Sequence, residues 1–179
     1  MRPQDILYFW FSEIEEKKWW VKDPAFDALL HRRFGAVHQQ ACAGELQAWR
    51  KDWRGYLAEI IILDQFSRNL YRGRAEAFAY DGIALTLAQD AVRLGFDKMA
   101  PKDMLAFLYM PYMHSESAFI HTEALKLFTE ARLDSNIKFE LAHKAILDRF
   151  GRYPHRNAAL GRKSTPEEIE FLSQPGSGF

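Results

Sequence analysis

Cysteine is all but missing: Cys42 stands alone, so no internal disulfide can form, and neither a C-x-x-C pair nor a metal knuckle exists. A single thiol fits a reducing cytoplasm and is expected to be a buried, inert side chain. Net charge is missing too. The 24 basic and 24 acidic residues cancel, which argues against a nucleic-acid binder that needs a sustained basic field and leaves only local recognition of anions. No apolar run approaches the roughly twenty residues of a membrane span; the longest, Met104 to Met113, contains Pro111. The opening "MRPQDILYFWFSE" has a short apolar stretch between Asp5 and Ser12 and no small-residue cleavage motif, so it does not read as a secretory leader. Sustained strand-type alternation is absent as well.

What remains is helical periodicity in almost every segment, in a chain rich in aromatics at 15%, with five Trp and fourteen Phe. The 179 residues suit one all-α domain with a single core, ending in a loose tail from about residue 174. A short first helix is expected over 3–11. Pro24 opens a second, whose stripe is Phe26, Leu29, Leu30, Phe34 and Val37, with His31 and His38 at the surface and Gly44 near its end. A third, over 53–71, is apolar nearly all round and therefore central. At 100° per residue, Asp64 and Arg68 fall on the same stripe as Leu57 and Ile61.

Further helices are expected over 76–94, closed by Gly95, and after Pro101, with Pro111 bending or stopping the helix just before "HSES". Another runs to about 132. Ser135 should cap a helix to Phe150 with a stripe of Phe139, Ala142, His143, Ile146 and Phe150, closed by Gly151. Thr165, Pro166 and Glu168 form a capping box for a last short helix through Leu172. Trp10, Trp19, Trp20, Tyr109 and Tyr112 are expected to fill core. Antiparallel hairpins of this kind stack either in a tetratricopeptide-like array or in an irregular bundle.

The strings "ILYFWFSE", "WWVKDPAFD", "ILDQFSRNLYRGRAEAFAYD", "YMPYMHSES" and "FGRYPHRNAALGRKSTPEEIEFL" together resemble a bacterial family of uncharacterised proteins, domain of unknown function 924. The resemblance covers nearly the whole chain. It implies a tetratricopeptide-like, all-helical fold and carries no established reaction, cofactor or catalytic residue. Two departures stand out. Ser67 replaces the family's usual proline, which lets the third helix continue a further turn, and "SAFIHTEAL" after the "HSE" of 114–116 is less polar than the family pattern.

The stretch "GRYPHRNAALGRK" holds Arg152, Arg156, Arg162, Lys163 and His155 without one acid. One reading has these cations neutralising the carbonyl end of the 136–150 helix. The other has them, with Arg68, Arg72 and Arg74, gripping a phosphate or carboxylate by the guanidinium fork. Asp64 and Arg68, an ion pair on an apolar stripe, must be satisfied internally or floor a cleft. The candidate ligand-binding set is Asp64, Arg68, Asn69, His114, Glu116, Arg152, His155, Arg156 and Asn157.

No metal is expected: His114, Glu116, His121, His143 and His155 lack ligand spacing, no H-E-x-x-H occurs, and Glu140 with His143 is a lone Glu-x-x-His. His143 reads as a hydrogen-bonded core residue. No G-x-S-x-G elbow accompanies Ser115 and Ser117. The residues thus point to a helical module without a cofactor, binding a small anion or an acidic peptide end. The alternatives are an acid/base enzyme using His114 or His155, and a scaffold whose apolar face meets another protein or a second copy as a homodimer.

Overall fold

The computed structural model describes residues 1–178, and the fold is all-α: every regular element is a helix and no strand occurs among the described residues. Internal contacts divide the chain into two compact units. One comprises Met1–Arg72 and Glu76–Pro111, the other Gly73–Ala75 and the chain from Tyr112 onward.

In the first unit, α1 (Pro3–Tyr8) runs into a π-helical turn over Phe9–Glu13. α2 (Pro24–Cys42) starts where the Asp23 carboxylate accepts from the backbone N–H groups of Ala25 and Phe26, with Pro24 already set at a helical φ. α3 (Trp53–Ile60) is capped by Asp52, passes into a π-helical segment over Ile61–Phe66, and continues as α4 (Ser67–Leu70). The chain beyond proline-free Ser67 therefore does stay helical for another turn. α5 spans Asp81–Arg93, and α6 spans Lys102–Met113. α1 and α5 both pack on α3, while α2 packs on the π segment and α4.

Aromatic rings fill the space between them, with Phe9 4.6 Å from Phe34 and Trp10 5.5 Å from Phe66 between ring centres. Gly55 permits the closest backbone approach: a Cβ there would lie 1.7 Å from the Trp49 carbonyl oxygen.

In the second unit, α7 (Ala118–Glu130) and α8 (Asp134–Phe150) pack along each other across a link of three residues, which makes them an antiparallel hairpin. Gly151, at φ +69°, closes α8 in the left-handed region. A 3-10 turn over Pro154–Arg156 follows, then α9 (Pro166–Leu172), where the Thr165–Glu168 capping box forms with both reciprocal bonds. Ile146, Leu147 and Tyr153 make the small apolar core with Phe150 and Phe171 against them.

Several expectations need correction. His38 is not at the surface but 2% exposed, because α2 turns it onto Ser67. The helix expected from residue 76 begins only at Asp81, after a 3-10 turn over Ala75–Ala77. α6 does end at Met113, immediately before "HSES" as expected, with Pro111 in its last turn. Ser135 is not the cap of α8, which starts one residue earlier behind Leu133 without a side-chain cap. The buried stripe of α8 is Glu140, His143, Ile146 and Leu147, leaving Phe139 58% exposed, because an acid held by a histidine takes an inward position. Trp20 is exposed while Trp10, Tyr109 and Tyr112 are buried as expected. In the tail, Phe179 lies outside the described residues.

Candidate functional site

The candidate residues fall into two polar clusters, each inside its own unit. In the first unit the π segment carries the chemistry. Adding a residue to each turn removes the strict 100° repeat, and all six residues from Ile61 to Phe66 are buried, Asp64 and Gln65 included. Arg68 reaches Asp64 Oδ1 at 3.0 Å and donates to the Asp64 carbonyl at 2.9 Å. Its fork also grips both oxygens of Asp81 at 2.8 and 3.0 Å. Gln65 Nε2 donates to Asp64 Oδ2 at 2.6 Å, and Asn69 Nδ2 to the Gln65 carbonyl at 2.9 Å.

Arg72 holds both oxygens of Asp27, at 2.7 and 3.1 Å, and donates to Asn69 Oδ1. Arg68 with Asp81 and Arg72 with Asp27 are thus bidentate pairs, while buried Asp64 meets Arg68 through one oxygen and Gln65 through the other, so its desolvation is offset at both. Next to it, His38 Nε2 and Ser67 Oγ are 2.8 Å apart, with Cys42 Sγ 3.5 Å from His38 Nδ1. Burial lowers the His38 pKa and raises that of the Cys42 thiol, so the cysteine is held as the unreactive thiol.

In the second unit everything centres on Tyr153, which is fully buried. Three imidazoles surround it and a fourth adjoins one of them. His143, His155 and His121 have ring centres 5.7, 5.5 and 6.2 Å from its ring, and His114 lies 6.5 Å from His143. The Arg156 guanidinium lies over the tyrosine face at 4.6 Å and donates to the His114 carbonyl at 2.9 Å. The Tyr153 hydroxyl donates to the Met113 carbonyl at 2.6 Å and stands 3.0 Å from His121 Nε2. Since Nε2 also faces the Ser115 carbonyl at 2.9 Å, that nitrogen carries a hydrogen.

His121 Nδ1 and Glu140 Oε1 then share one proton across 2.6 Å, both side chains fully buried. Burial raises the Glu140 pKa, against the pull of the His121 hydrogen bond. Its other oxygen, Oε2, has no hydrogen-bond partner, a cost that is smaller for a neutral acid than for a carboxylate. His143 gives its Nδ1 hydrogen to the Phe139 carbonyl at 2.8 Å. Burial, assisted by the neighbouring imidazoles of His114, His121 and His155 and opposed by that carbonyl, lowers its pKa to about 3. It is the neutral, hydrogen-bonded core histidine expected from the sequence.

The basic stretch also binds acids of its own unit. Glu116 accepts the Tyr153 backbone N–H at 2.6 Å and both arms of the Arg162 fork at 2.6 and 2.9 Å. Burial would raise its pKa, but Arg162, the Tyr153 amide and the Arg156 charge together hold it below the ordinary carboxylate range. Glu168 takes the Arg152 fork at 2.7 and 2.9 Å, the Thr165 amide at 2.8 Å and Asn157 Nδ2 at 3.2 Å. The Arg152 bond above all, despite burial, lowers its pKa to about 2. Arg152 and Arg162 also donate to the carbonyls of Lys163 and Tyr153, so the cations that hold this loop run to two glutamates rather than to the last turn of α8.

Asp64, Arg68 and Asn69 thus share the first cluster; His114, Glu116, Arg152, His155, Arg156 and Asn157 share the second. Sequence reasoning missed Glu140, Glu168 and Tyr153 as organisers, although Glu-x-x-His at 140–143 and the capping box were in view. A hollow of about 480 Å³ opens beside Arg152, lined by Arg149, Phe150, Arg152, Thr165, Glu167 and Glu168; its two acids oppose an anion there. Among the described residues, no group of three or more His, Cys, Asp or Glu is placed to hold a metal ion. No helix among them is long and apolar enough to cross a membrane.

No curated protein matches the chain. It is similar to a solved structure from Agrobacterium tumefaciens, a protein of unknown function, at 36% identity over 95% of this chain and 96% of that one, with a TM-score of 0.87. The model of a family described as bacterial protein of unknown function, DUF924, matches residues 6–176, and the chain belongs to that family.

Proposed function

We propose that the protein is a non-catalytic helical module that binds a small anion, a carboxylate or a phosphate, at His114, His155 and Arg156. The observation that carries this is the gathering of three imidazoles and a guanidinium around one buried tyrosine, with a fourth imidazole, His114, beside His143, and with His114 and His155 partly exposed. Such groups offer directed N–H donors whose charge rises as an anion arrives. The same loop already demonstrates the chemistry internally, holding the carboxylates of Glu116 and Glu168 by amides and forks. The fully buried His121–Glu140 pair offers no substrate access and supports the fold instead. The balanced charge and the single thiol fit a cytoplasmic protein with a small partner rather than a nucleic acid.

Thermal-shift titration with inorganic phosphate, pyrophosphate and citrate tests the reading. A ligand at one hundred times its Kd adds about 2.7 kcal/mol of stability. The shift should appear in the wild-type protein and shrink in His155→Ala and His114→Ala, each measured against its own unliganded baseline. Silence across all three anions would sink the proposal and favour a scaffold.

A further inference from the structure

The stretch after α9 contributes nothing to the apolar core, yet it has a defined course. Gly176 turns the chain at φ +79°, a conformation glycine adopts without strain. Ser177 Oγ donates back to the Leu172 carbonyl at 3.2 Å. The turn brings Gly178 onto His155: a Cβ built on Gly178 would lie 3.6 Å from Cβ and 3.9 Å from Cγ of that histidine, ordinary van der Waals contact. Gly178 therefore lies beside the root of the His155 side chain, whose ring sits at the edge of the Tyr153 cluster.

We propose that the segment Gln174–Gly178 is a built-in competitor, lying beside the His155 side chain that an incoming anion would use. The inference rests on the anion-binding reading of the same site. The composition suits the task. "QPGSG" has no large side chain to anchor in a core, and Gln174, Pro175, Gly176 and Gly178 are exposed, so little stability is lost on release. Being tethered, the segment competes at a high effective concentration without strong contacts. Ligand would have to displace it, and the apparent affinity falls by the fraction of time the site is open.

The test uses three proteins: the full chain, a chain ended at Ser173, and full-length Gly178→Asp. In each, the His155 imidazole is titrated by NMR and the Kd for inorganic phosphate is measured. A carboxylate placed on His155 should raise its titration midpoint by about half a pH unit or more and weaken phosphate severalfold. Ending the chain at Ser173 should tighten phosphate roughly tenfold if the tail covers the site nine-tenths of the time. An unchanged midpoint in Gly178→Asp shows that the tail does not rest on His155 and overturns the inference. Equal phosphate affinity with and without the tail overturns it as well, while leaving the anion site standing. A raised midpoint with phosphate bound by none of the three overturns the anion reading and, with it, the competitor role.

Discussion

The two polar clusters solve the same problem, buried polarity in a helical core, by different chemistry. Around the π segment of the first unit the solution is strong acid against strong base: Arg68 with Asp64 and Asp81, Arg72 with Asp27. Such forked pairs fix the orientation of both partners as well as their charge, so the cluster behaves as a fixed clamp. Around Tyr153 the groups are mostly imidazoles, whose charge is set by surroundings and by pH. A fixed clamp suits architecture. A set of adjustable donors, two of them partly exposed, suits a ligand.

The sharpest way to break the comparison is Arg68→Ala. It strands Asp64, 1% exposed at its side chain, and the largely buried Asp81, and should cost about 3–5 kcal/mol in urea unfolding. A loss below about 1 kcal/mol would mean the clamp is dispensable. Arg68→Lys should recover only part of it, because an ammonium lacks the fork.

Acidification comes next. The folded-state pKa of His143, about 3, lies below the ordinary 6.5, so between those values the unfolded chain binds a proton that the folded one refuses. Its contribution is whole above 6.5 and declines as pH falls towards 3, at about 1.4 kcal/mol per pH unit. His143→Asn should flatten the stability profile between pH 6.5 and 4.5. Glu168, with its pKa lowered from 4.5 to about 2, contributes stability that is present above 4.5 and lost as pH falls through 2, so Glu168→Gln should flatten the profile only at that lower range. Profiles indistinguishable from wild type would remove the pH-sensitive half of the contrast.

Smaller effects sharpen it. Tyr153→Phe deletes the hydroxyl that serves the Met113 carbonyl and should cost about 1–3 kcal/mol. Thr165→Ala removes one half of the capping box of α9 and should cost about 1 kcal/mol. Chemical denaturation measures both; a Tyr153→Phe protein as stable as wild type would show that the hydroxyl does not organise the cluster.

Much of the fold was legible because its signals are local. Pro24 at a helix start, Gly95 and Gly151 at helix ends and the Thr165–Glu168 box each act within one turn of chain, where backbone sterics and a few hydrogen bonds decide. Asp64 and Arg68 were legible as an i, i+4 pair, but Asp81 as its third member was not, since it arrives from α5. The inward position of Glu140 was hidden for the same reason: a carboxyl reads as surface until a histidine nineteen residues earlier is placed against it.

Sequence by itself determined the helical class, most helix ends and the local charge of the 151–163 loop, because propensity, capping and periodicity are properties of neighbouring residues. Only the tertiary structure decided what that charge meets. Glu116 and Glu168 come to Arg162 and Arg152 from 46 and 16 residues away, and His121, His143 and His155 close on Tyr153. Ion pairing and ring packing depend on distance in space, which the order of the residues along the chain does not carry.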